Sequence, residues 1–126
     1  IAPKSLTVSK EKQITWAEVA QIPLCLLTQN MKNRQLIDRH FLDLGISPSI
    51  VTEASDFTAV LAQVAAGNAA TIAPVSVAQT FLDLKSTKQL DLIRPVLTHS
   101  VGLSIKDQSP VLPMIEALRK AVNSAL

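Results

Sequence analysis

Glu53-Ala-Ser-Asp-Phe-Thr-Ala-Val-Leu-Ala-Gln-Val-Ala-Ala-Gly67-Asn-Ala-Ala-Thr-Ile-Ala-Pro-Val75 is the stretch whose reading decides the fold. Phe57, Val60, Leu61 and Val64 recur at helical spacing behind the polar pair Ser55 and Asp56. Ser and Asp side chains accept hydrogen bonds from the free N–H groups of a first turn, so a helix is predicted to start at one of them. Gly67 ends it, because glycine adopts the left-handed conformation without a Cβ clash. The apolar run Ala70 to Ala73 lacks the alternation of a half-exposed strand and predicts a short strand covered on both faces. Helix, stop and buried strand together specify an α/β domain. Such domains bind ligands at strand ends and helix starts.

The same punctuation extends in both directions. Residues 1 to 13 read as a short extended piece and a loop. In Ile14-Thr15-Trp16-Ala17-Glu18-Val19, Thr15 and Glu18 stand at capping-box spacing, and Ile14 and Val19 take the two staple positions. Pro23 keeps that helix short, and Leu24 to Leu27 follows as a buried strand. After Thr28-Gln29-Asn30, a helix carries Leu36, Ile37, Phe41 and Leu44 on one stripe and closes at Gly45. Pro48 to Thr52 is a β-branched strand. Beyond the central stretch, Ser76 is placed as the cap of a helix running through Phe81 and Leu84, and Lys85 to Lys88 as a solvated loop. Leu90 to Leu97, broken by Arg94-Pro95, reads as an edge strand or a chain crossing. Val101, Leu103 and Ile105 alternate as a strand does. Ser109 and Pro110 open a last helix with Val111, Ile115, Leu118, Val122 and Ala125 on one face. Strands and helices thus alternate, which predicts a mostly parallel sheet flanked by helices. Thr28 to Arg34, Ser55 to Phe57 and Pro74 to Ser76 then fall on one edge, where helix N-termini favour a small anion or a carboxylate.

Composition excludes several function classes. With 126 residues, 48% of them hydrophobic, the chain suits one core. No run approaches the roughly 18 apolar residues of a membrane span, and the N-terminal residues lack a leader pattern, so no membrane association is expected. Twelve basic residues against 10 acidic ones are scattered rather than clustered, which argues against a nucleic-acid surface. The one cysteine, Cys25, excludes an internal disulfide, and its leucine neighbours mark it as core. His40 and His99 show no metal or triad spacing. No phosphate loop, nucleophile elbow or carboxylate pair stands out, so neither enzymatic activity nor a cofactor is expected. Lys32 and Arg34 read as surface charges, with attraction of an anionic effector as the alternative. Asp56 reads as a cap that can also meet a ligand.

Taken in order, these motifs resemble the effector-binding domain of LysR-type transcriptional regulators. The resemblance rests on Phe57 through Val64-Ala-Ala-Gly67 with Thr71-Ile-Ala-Pro74, and on Ile14 to Ala20 with Ile22-Pro23. It rests also on Arg34-x-x-Ile37-Asp38-x-x-Phe41, and on Val101-Gly-Leu-Ser-Ile-Lys106 with the helix after it. Ala69 departs from a glycine common in the family. The resemblance implies one lobe of a type 2 periplasmic-binding-protein-like domain. Residues 1–98 would be the second lobe, and 99–126 the return strand and helix that complete the first. It implies a small-molecule effector, an anion among the candidates, bound between lobes. It further implies DNA binding through a domain outside this chain, a cytoplasmic setting, and a homo-oligomer, dimer or tetramer. By position, effector contacts would come from Thr28, Gln29, Asn30, Met31, Lys32 and Asn33, with Ser55 and Asp56 nearby. The final helix, deprived of the first lobe, is predicted to fold back or to swap into another copy. A lobe of a periplasmic solute-binding protein, which shares the fold, is the rival.

Overall fold

The computed structural model describes residues 1–6, 12–81, 85–98, 102–106 and 110–125. The elements are β1 (Ala2–Pro3), β2 (Gln13–Thr15), α1 (Trp16–Val19), β3 (Leu24–Leu27), α2 (Lys32–Asp43), β4 (Ile50–Ala54), α3 (Phe57–Ala65), α4 (Val75–Phe81), β5 (Thr87–Lys88), β6 (Asp91–Ile93) and α5 (Pro113–Ala125). β3 organises them. All four of its residues are buried, and the period-2 pleat splits them between two cores. Leu24 and Leu26 pack with Trp16, Val19, Ile37 and Phe41 on the α1 and α2 side. Cys25 and Leu27 pack with Val60 and Ala69 on the α3 side. Burial also pushes the Cys25 thiol pKa up, in keeping with an inert core cysteine.

Pairing is mostly parallel, as the alternation predicts. β3 pairs with β4, and β2 with β6, both parallel. On the other side of β3, the Cys25 N–H donates to the Ala70 carbonyl at 2.9 Å and the Ala70 N–H to the Pro23 carbonyl at 2.8 Å. Thr71 continues the layer outward by exchanging two 2.8 Å hydrogen bonds with Ile1, and β1 then pairs antiparallel with β5.

Local chemistry explains the helix ends. Glu18 N–H donates to Thr15 Oγ1 at 3.3 Å, and Thr15 N–H donates to Glu18 Oε2 at 2.8 Å, which is the capping box read from the sequence. The threonine hydroxyl and N–H bonds hold the Glu18 carboxyl below the usual carboxylate range. Asp56 caps α3 by accepting from Ala59 N–H at 2.9 Å, and Gly67 ends that helix at φ +85°.

Several expectations are corrected. The run Ala70 to Ala73 is buried at its start but contributes a single bridge residue, Ala70, rather than a strand. The strand assigned to residues 48–52 forms two residues later, at Ile50–Ala54, because Pro48 carries no N–H for a ladder. Ser76 lies inside α4, not at its cap. Lys85 to Lys88 is not a solvated loop throughout: Thr87 is buried in β5. The last helix begins at Pro113 rather than Pro110. The physical reason is the second proline, which bars Leu112 from the helical region and itself suits the first helical position. Residues 102–106 form no strand. Leu84, His99, Val101 and Ser109 lie outside the described residues. Nor is the final helix folded back: among the described residues none from α5 belongs to either core, and Met114 is 76% exposed.

Candidate functional site

β3 and β4 run parallel, so their carboxyl ends share an edge, and the Thr28 N–H donating to the Ala54 carbonyl at 3.0 Å ties the two exits together. The chain leaving Ala70 emerges beside them through Thr71 to Pro74. On this side a cleft of about 670 Å³ opens between the first turns of α2, residues 70–75, and the β2 and β6 layer. Trp16, Ile37 and Ala78 form part of its floor, and Leu92, Ile93 and Leu97 part of its far wall. Among the described residues, Asp91 is the one charged side chain in the lining, which holds no Lys, Arg or His.

Three buried side-chain atoms lack a hydrogen-bond partner among the described residues: Asn33 Oδ1, Thr71 Oγ1 and His40 Nε2. Two of their residues, Asn33 and Thr71, line the cleft. An unpaired buried polar atom forfeits its hydration without compensation, so such atoms in a folded protein ask for a cause. A ligand that bonds them supplies one.

Of the residues predicted for the site, Asn33 lines this cleft and the other seven do not. Thr28 donates its hydroxyl to Asn30 Oδ1 at 2.7 Å, and the Gln29 carbonyl accepts from Gln35 Nε2 at 3.3 Å, so this turn is bonded to itself and to α2. Met31 is the N-cap of α2 and offers no side-chain bond to it. Lys32 is exposed on the first turn, as are Ser55 and Asp56 across the edge. Arg34 is not the surface charge expected. It is 3% exposed and donates to Asp38, Glu53 and the Leu27 carbonyl. Burial alone would lower its pKa; the hydrogen bonds and charges of Asp38 and Glu53 outweigh that and hold it above the ordinary value. Arg34 therefore fixes α2 to the ends of β3 and β4 and is not free to meet an effector.

Thr71 lines the cleft but is not among the residues to which the sequence points. A lone hydroxyl inside the otherwise apolar run from Ala69 to Ala73 was the available signal. Among the described residues no group of three His, Cys, Asp or Glu side chains could hold a metal ion, and no helix is long and apolar enough to cross a membrane.

The profile of the LysR substrate binding domain family matches residues 1–126. The crystal structure of HinK, a LysR family transcriptional regulator from Pseudomonas aeruginosa, is similar with a TM-score of 0.60 at 19% sequence identity; the match covers 79% of this chain and 34% of the HinK chain. That likeness shows the fold, and this chain spans about a third of the HinK chain. No curated protein matches.

Proposed function

The chain belongs to the family of LysR substrate-binding domains, and on that premise we propose that residues 1–98 form one lobe of an effector sensor and 99–126 the segment that returns to the other. A small metabolite binds at the cleft between the lobes and shifts their relative angle. The shift alters the geometry of a dimer or tetramer and, through DNA-binding domains elsewhere in the protein, transcription. The protein is a cytoplasmic binding module and not a catalyst. The observation that carries the reading is the pair of unpartnered buried atoms, Asn33 Oδ1 and Thr71 Oγ1, in one apolar cleft at the strand ends. The turn from Thr28 to Lys32, with Ser55 and Asp56, forms the rim that faces the other lobe. The exposed apolar residues of α5 support the return segment, since they offer a face for a first lobe to cover.

In the complete regulator, Asn33→Ala is expected to raise the effector concentration for half-maximal response by roughly tenfold, the value of one buried hydrogen bond. Affinity for operator DNA in the absence of effector should stay the same, as read by fluorescence anisotropy. Lys32→Ala, on the rim, should shift the response less. An unchanged response in Asn33→Ala would move the site elsewhere.

A further inference from the structure

We propose that the cleft takes an uncharged, mostly apolar molecule of one or two rings, hydrogen-bonded to Asn33 and Thr71, rather than an anion. The proposal rests on the reading of this cleft as the effector site and names the ligand's chemical class. Its volume of about 670 Å³ suits a small ring compound. The chemistry of the wall then decides the charge.

An anion moved from water into an apolar cleft needs a counter-charge or several donors. Among the described residues no Lys, Arg or His side chain lines the cleft to give one. Arg34, the nearest buried cation in sequence, is held by two carboxylates and a carbonyl. Lys32 is exposed and outside the lining. Two helix starts are committed, since Glu18 closes the capping box of α1 and Asp56 caps α3; the start of α2 has no side-chain cap, but its partial charge is a fraction of the full counter-charge a buried anion needs. Asp91 adds negative charge to the wall itself. What the cleft offers instead is neutral: the acceptor Asn33 Oδ1 and the Thr71 hydroxyl, 3% exposed and unpartnered. A carboxamide, lactam or phenol presents a matching donor at no charge cost. The anion expected from the sequence gives way, under this proposal, to such a group.

Thr71 also supplies a check independent of any ligand. A buried hydroxyl without a partner is a liability in the free protein, and a methyl of the same shape removes it. Thr71→Val is therefore expected to leave the melting temperature of the free regulator unchanged or raise it, while weakening the ligand.

The experiment uses the full-length protein and a panel of ring compounds, each present as its carboxamide and its carboxylate (benzamide with benzoate, indole-3-carboxamide with indole-3-carboxylate), titrated calorimetrically at matched ionic strength. The expected result is that carboxamides bind at least tenfold tighter than their carboxylates, and that Thr71→Val weakens them by roughly tenfold. Carboxylates that bind tighter, with binding still sensitive to Thr71→Val and Asn33→Leu, would overturn the neutral class and keep the cleft. Binding of either set that ignores both substitutions would overturn the cleft as well. A panel in which neither member of any pair binds would overturn both, as would a Thr71→Val protein that loses stability.

Discussion

Trp16→Ala is expected to lower the stability of the lobe by about 3–5 kcal/mol, the range for deleting a large aromatic from a core. Against a typical total of about 5–15 kcal/mol, that change removes much of the folded population. The indole does three things at once. It is 1% exposed, with its ring centroid 4.2 Å from that of His40 and 5.0 Å from that of Phe41, the latter edge-on at 81°. Its Nε1–H donates to the Pro95 carbonyl at 2.9 Å and so ties α1 to the chain after β6. It also stands directly after the Thr15 cap and forms cleft floor. Trp16→Phe keeps an aromatic ring and loses the hydrogen bond, and should cost less than the alanine variant but still about 1 kcal/mol for the lost bond beyond its packing change. Urea unfolding followed by far-UV circular dichroism separates the cases. A Trp16→Ala loss under about 1 kcal/mol, the range of an exposed site, would contradict the packing described.

The second large effect is at Arg34. Arg34→Met is expected to cost about 2–3 kcal/mol, because it strands the buried Leu27 carbonyl and removes the partner of Glu53 and Asp38. The cost stays below that of breaking a fully buried pair, since the two carboxylates are 40% and 39% exposed and regain water. Arg34→Lys should recover only part of it. An ammonium has one charged centre, whereas the guanidinium bonds one carboxylate through Nε and another, with the carbonyl, through one terminal nitrogen. Equal stability of the lysine and wild-type proteins in the same urea titration would show that charge alone matters here. By contrast, breaking the exposed pair Arg39–Asp43 should change little.

These two residues also mark where the sequence was legible and where it was not. The capping box at Thr15 and the stop at Gly67 were readable because both are local chemistry, decided within four residues. The burial of Leu24 to Leu27 was readable for a similar reason, since an unbroken apolar run between turn signals fits only an interior strand. Arg34 was misread, because its partner Glu53 and the carbonyl of Leu27 reach it only after the chain has folded. The site was half legible. The candidate cleft opens beside helix starts at strand ends, as the alternation of elements suggests, and Asn33, one of the residues carried over from the family resemblance, lines it. Thr71 was missed, since its backbone partner is Ile1, 70 positions away, and its unpaired hydroxyl is a property of packing rather than of spacing. The placement of the last helix was out of reach for a different reason. Its apolar stripe is plain in the sequence, but among the described residues it joins neither core.

The central claim is that an effector occupies the cleft between α2 and residues 70–75. Hydrogen–deuterium exchange on the complete regulator, with and without a saturating panel compound that binds it, tests this most directly. Slowed exchange is expected in peptides covering residues 31–37 and 69–76, with β4 and the exposed face of α3 unchanged. Unchanged exchange in both cleft peptides, with protection appearing elsewhere in the protein, would contradict it.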